Sequence, residues 1–143
     1  MLIQILVALA LGLVAAAPVN GQDQLAGTYL VVAGEEDGQA FPPDHFMDTS
    51  VVITAKDIIV YCAKTGEQRV YSYERVLAEK AQGIDMRVVV GPDEGKIVRG
   101  IYELNGDRLM LAFFPAGKEG RPTSFDTEKG TGQMTLDLKR VAP

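Results

Sequence analysis

Few residues in this chain could do chemistry. There is one histidine, His45, and one cysteine, Cys62. A Ser-His-Asp triad or a His-ligated zinc site would have to use His45, which sits in the Pro-rich stretch 40–47. Ser50, Ser72 and Ser124 have no nucleophile-elbow residues around them. Gly91-Pro92-Asp93-Glu94-Gly95-Lys96 has the outline of a phosphate loop. It is one residue short between its glycines, Ile97 follows the lysine in place of Ser or Thr, and strand pattern follows in place of helix, so it reads as a hairpin turn. Asp126-Thr127-Glu128-Lys129-Gly130 lacks the ligand spacing of an EF-hand. Only Glu74 and Asp85 interrupt apolar strand patterns, so no carboxylate pair for glycoside chemistry can be picked out. His45 therefore reads as a surface loop residue. The chain reads as non-enzymatic, with no cofactor and no metal expected.

Binding is the better-supported chemistry, and the elements that would position it start from 96–114, KIVRGIYELNGDRLMLAFF. Asn105-Gly106 is a preferred pair for a two-residue hairpin turn. With that pair at the tip, Tyr102 lies opposite Leu109, Gly100 opposite Leu111 and Val98 opposite Phe113. Opposed residues of an antiparallel pair point to the same face. One face is then Val98, Gly100, Tyr102, Leu109, Leu111 and Phe113. The other carries Arg99, Glu103 and Arg108 with Ile101, Met110 and Ala112.

Further strands are expected at 25–33, 49–54, 57–62, 67–77, 84–90 and 133–139, from short apolar alternations bounded by Gly, Pro and Asp turns. In 67–77, Arg69, Tyr71, Tyr73 and Arg75 share one face, and polarity does not settle which face points inward. Pro42-Pro43 excludes a central strand and suggests an extended crossing followed by one helical turn. Residues 115–132 form a long Gly/Pro/Thr-rich loop before the last strand, a kind of segment that is usually functional or mobile. The fold class is all-β: a single antiparallel up-and-down barrel of about eight short strands, lipocalin-like.

Residues 1–17 are apolar apart from Gln4, with no charge until Asp23. This run is short for a bilayer span and suits a secretory signal, with Val19-Asn20-Gly21 offering small residues before a cut. The expected division is a signal peptide over 1–21 and a barrel domain over 22–143. Met1-Leu2-Ile3-Gln4 lacks Lys and Arg, which keeps an uncleaved anchor as the alternative. The expected location is secreted or periplasmic, with no membrane insertion after cleavage. A net charge of −5 argues against nucleic acid, whose binding needs clustered cations. Cys62 rules out an internal disulfide; it reads as a small buried hydrophobe, against an intermolecular disulfide or a reactive thiol.

Several phrases together resemble a known family. They are Leu25-Ala26-Gly27-Thr28-Tyr29, Gly38 with Pro42-Pro43, Gly91–Lys96, Gly100–Asp107, Gly117-Lys118 with Arg121-Pro122-Thr123 and Phe125, and the closing Leu136, Leu138-Lys139-Arg140. In this order they look like the small secreted lipocalin-like domain present in many copies in planctomycete bacteria. The resemblance implies a barrel and an exported protein, and no activity. In the wider lipocalin-like group a Gly-x-Trp on the first strand closes one end of the barrel under a basic residue from the last strand. Here Tyr29 takes the tryptophan's place, and Lys139 or Arg140 is the implied cation.

Two functional readings stand. In the first, the barrel is a secreted carrier or sensor that binds a small apolar or amphipathic molecule at its open end. Its candidate ligand-binding residues are Tyr29, Tyr102, Leu109, Leu111 and Phe113 as lining and Arg121 as a polar anchor. The competing account of Arg121 is a pair with a nearby acid, with Phe125 as a lid over the mouth. In the second reading, a filled barrel is an envelope protein-interaction module that meets its partner through Arg99, Ile101 and Met110 or through the long loop.

Overall fold

The computed structural model describes residues 24–79 and 81–142. The proposed signal segment lies outside the described residues. Nine strands follow in order: β1 (Gly27–Glu36), β2 (Gln39–Ala40), β3 (Thr49–Ile53), β4 (Asp57–Cys62), β5 (Glu67–Leu77), β6 (Gln82–Val90), β7 (Ile97–Asn105), β8 (Arg108–Phe113) and β9 (Met134–Ala142). From β3 onward each strand pairs with the next. β1 pairs with both β3 and β9, which closes the sheet into an antiparallel up-and-down barrel. The short β2 pairs only with the end of β1. Closure removes every long free edge, so the strands bury a core between them.

Side-chain alternation assigns the inside. Tyr29, Val51, Ile58, Tyr73, Ile84, Met86, Val98, Tyr102, Leu109 and Leu138 form the buried core. The ambiguous face of β5 is thereby settled: Tyr73 is buried, and Arg69 and Arg75 lie on the same side at opposite ends of the barrel. There their polar heads reach water while their stems pass over apolar neighbours.

The β7–β8 hairpin differs from expectation in register. Its turn is Gly106-Asp107, with Asn105 paired to Arg108, Leu104 to Leu109, Tyr102 to Leu111 and Gly100 to Phe113. Gly106 alone takes a positive φ (63°), and glycine at the first central position is the type II′ pattern. The shift is two residues. Because the side-chain period of a strand is also two, every residue keeps the face expected of it. Gly100 does not open space on the inner face. A Cβ there would stand 2.5 Å from the Ala112 carbonyl oxygen and 3.1 Å from the Phe113 Cβ, so glycine is required for the close approach of the two strands.

Ile101 (1% exposed) and Ala112 (0%) lie on the outer face yet are buried. Ile101 borders a hollow that it shares with Arg121, Pro122 and Thr123 of the long loop. The loop is fastened along its length. The Gln133 side-chain amide donates to the carbonyls of Ser124 (2.9 Å) and Asp126 (3.1 Å), and the Thr135 hydroxyl donates to the Phe125 carbonyl at 2.7 Å. Thr127 Oγ1 donates to Glu35 Oε1 at 2.6 Å and accepts from the Gly38 amide at 2.8 Å. A long loop without strands or helices is thus held by the buried side chains of Gln133, just before β9, and Thr135 of β9, and by the end of β1.

Candidate functional site: an apolar cavity open at one end

The two ends of the barrel are chemically different. At one end β1 begins, β3 turns into β4, and β7 turns into β8. Tyr29 fills this end with no exposure, and Leu25 packs beside it at 2%. The Tyr29 hydroxyl donates to the Leu25 carbonyl at 2.8 Å and accepts from Arg140 Nη2 at 2.7 Å. The Arg140 guanidinium lies 5.3 Å from the centre of the Tyr29 ring, so Arg140 is the covering cation and Lys139 is not. Tyr73 donates to the Thr54 carbonyl at 2.7 Å, and Arg75 Nη1 donates to the Tyr102 hydroxyl at 2.9 Å. Each of these tyrosines fills apolar space with its ring and satisfies its hydroxyl at the rim. This end is closed.

The other end holds a cavity of about 410 Å³. Its apolar walls are Val51, Ile58, Val60, Met86, Val98, Leu111, Phe113, Met134, Leu136 and Leu138, with Tyr71 on one side. Every strand of the closed barrel except β1 contributes. Polar groups gather at the mouth, where Thr49, Cys62, Glu67 and Arg69 join the lining. Arg69 Nε and Nη2 donate to Glu67 Oε1 at 3.1 and 3.0 Å, and this pair, both on β5, is about half exposed. Glu67 raises the Arg69 pKa further above its already high ordinary value, first through these hydrogen bonds.

A small aromatic stack borders the mouth. Phe41 and His45 stack with centroids 4.5 Å apart, and Phe46 meets both edge-on at 5.2 and 4.6 Å. The segment carrying them is tied by backbone bonds from the His45 amide to Pro42 and from the Met47 amide to Asp44, which make successive tight turns in place of the helical turn expected after Pro42-Pro43. His45 is exposed, as a surface loop residue should be, but it also borders the cavity.

Cys62 is not a fully buried hydrophobe. It is a half-buried free thiol at the mouth. Its pKa lies below the ordinary thiol value, chiefly because the Thr65 hydroxyl donates to the sulfur, with help from the Thr65 backbone and against the effect of burial.

The candidate residues from sequence divide between sites. Leu111 and Phe113 line the cavity. Tyr29, Tyr102 and Leu109 point to the same interior but belong to the closed end and the packed core. Arg121 is on the outer face. Its Nη2 donates to Asp85 Oδ1 at 2.7 Å, and its Nη1 donates to the carbonyls of Ile84 (3.1 Å) and Gly100 (2.9 Å), two residues opposed in the β6–β7 register. Arg121 therefore anchors the long loop to the wall of the barrel. Phe125, whose carbonyl is bound by Thr135, does not line the mouth as a lid. Sequence reasoning missed Arg69, Glu67 and Cys62. The alternation of Glu67, Arg69 and Tyr71 on one face of β5 was the signal that could have found the first two.

Comparison with known proteins finds no matching family model, no similar curated protein and no similar solved structure.

Proposed function

We propose that this protein is a non-enzymatic binding barrel that takes one small apolar or amphipathic molecule through its open end. The observation that carries this reading is the contrast between the ends: a tyrosine-plugged base with satisfied hydroxyls, and opposite it a cavity of about 410 Å³ with apolar walls and a polar mouth. That size falls at the lower part of the range for small-molecule sites, about 300–1,000 Å³, and the few polar groups around an apolar interior are the usual composition of such sites. The reading of 1–21 as an export signal, together with the resemblance to secreted planctomycete domains, supports a secreted or periplasmic carrier or sensor.

The second reading, a protein-interaction module, keeps one specific support. Leu30, Val32, Val52, Tyr61, Val89 and Val90 are exposed on β1, β3, β4 and β6. Of the surface first expected for it, Ile101 is buried, and the protein's own long loop lies beside it.

The test is a titration with the neutral fluorophore N-phenyl-naphthylamine, which brightens in apolar surroundings. Saturable binding that is lost in Leu111→Trp supports the carrier. No binding to the native protein, or binding unchanged by Leu111→Trp, contradicts it.

A further inference from the structure

We infer that the molecule held in this cavity is a compact ring system and not a long hydrocarbon chain, because a fixed floor makes the cavity short for its width. This rests on the binding reading above and adds the chemical class of the ligand.

The strands set the floor. On β3 the lining ends at Val51, on β5 at Tyr71, on β6 at Met86 and on β8 at Leu111. One inward position deeper stand Ile53, Tyr73, Ile84 and Leu109, all in the packed core and none more than 6% exposed. On β7, Gly100 follows the lining residue Val98, and Tyr102 is the next core residue. The two floor tyrosines are tethered. Tyr73 donates to the Thr54 carbonyl at 2.7 Å, and the Tyr102 hydroxyl accepts from Arg75 at 2.9 Å. Rings packed on their bodies and held at their hydroxyls make the floor a hard stop.

Depth follows from the strands that line the cavity furthest. β4, β5 and β9 each contribute three alternate residues, within 58–62, 67–71 and 134–138. At the rise of a strand and the tilt of an eight-stranded barrel, each stretch is about 10 Å deep. A volume of about 410 Å³ over that depth gives a bore about 7 Å across. An extended chain is one carbon thick, about 4 Å by contact distance, and leaves gaps at its flanks that forfeit dispersion contacts. It also runs out of depth after about eight carbons. To fill the width it must coil, and it loses rotamer freedom in doing so. One or two rigid rings fill both dimensions already ordered. The walls suit rings, since the aromatic groups of Tyr71 and Phe113 and the thioethers of Met86 and Met134 pack well against them.

The experiment compares decahydro-2-naphthol with decanol as displacers of N-phenyl-naphthylamine. The two match in carbon count and in their single hydroxyl, and decanol has the larger apolar surface, so a merely greasy site ranks decanol first. Decahydro-2-naphthol is expected to displace the dye at a concentration about fivefold below that of decanol, the scale of ordering one flexible chain. Straight alcohols from hexanol to dodecanol should gain about fourfold per methylene up to octanol and then level off. Displacement by decanol at an equal or lower concentration overturns the inference and leaves the binding reading standing. So does a gain that continues through dodecanol, or a bound dye that none of these alcohols displaces. A dye that does not bind at all overturns the binding reading itself.

Discussion

Arg140 sits with its guanidinium carbon 5.3 Å from the centre of the Tyr29 ring and donates from Nη2 to the Tyr29 hydroxyl at 2.7 Å. The last strand thereby grips the first across the β1–β9 pairing that closes the barrel. Arg140 Nη2 also donates to the Gln24 carbonyl at 2.5 Å, so the cation ties down the chain where it enters β1. Among the described residues Arg140 Nε is buried without a hydrogen-bond partner, and the ring face and the two Nη2 acceptors offset that loss.

Tyr29→Phe keeps the plug and removes its hydroxyl, which should cost about 1–2 kcal/mol. Arg140→Met leaves that hydroxyl without its donor and Gln24 unheld, and should cost a similar amount. The double variant should lose less than the sum of the two, with a coupling of about 1 kcal/mol. Urea denaturation of the four proteins checks this. Strict additivity would mean that the two residues act independently at the base.

Arg121 should matter for stability and not for binding. Arg121→Met leaves the Ile84 and Gly100 carbonyls and Asp85 without their shared donor, at a cost of about 1–3 kcal/mol. It should also speed proteolysis within 115–132, whereas the affinity for N-phenyl-naphthylamine should stay within a factor of about two. A loss of affinity without a loss of stability would return Arg121 to the role of ligand anchor that its sequence context suggested.

How far the sequence was legible follows from what each residue pattern encodes. β4 and β5 are bounded by turn residues, and their limits were readable to the residue. The faces of β7 and β8 were readable although the register was displaced, because alternation fixes inside against outside and is blind to a slip of two. The same blindness explains the mixed outcome at the site. Alternation placed Tyr29, Tyr102 and Leu109 with Leu111 and Phe113, and all five do face inward. It carries no information on which end of the barrel is plugged. That depends on Leu25, Tyr73 and Arg140 meeting Tyr29's end from distant parts of the chain. The inner face of β5 was obscured for a different reason, since its two arginines reach out at the two ends while its tyrosines stay between them.

Cys62 offers a pH-dependent readout of the mouth. The Thr65 hydroxyl stabilises the thiolate and lowers its pKa, so the reactive form appears at lower pH than for an unperturbed cysteine. The rate of iodoacetamide alkylation should therefore rise with a midpoint below the ordinary thiol value, and Thr65→Val should move that midpoint upward. A midpoint at or above the ordinary value, or one indifferent to Thr65→Val, would mean that burial outweighs the hydrogen bond.

The central claim is that the open end holds a molecule, and native mass spectrometry tests it most directly. The protein would be exported to a bacterial periplasm, purified without detergent and sprayed from volatile buffer. The account predicts a reproducible non-covalent adduct on the native protein, absent from Leu111→Trp, whose added ring occupies the cavity. Clean apo protein would contradict it. So would an adduct that persists in Leu111→Trp, which would point to the exposed outer face of β1, β3, β4 and β6 as the surface that matters.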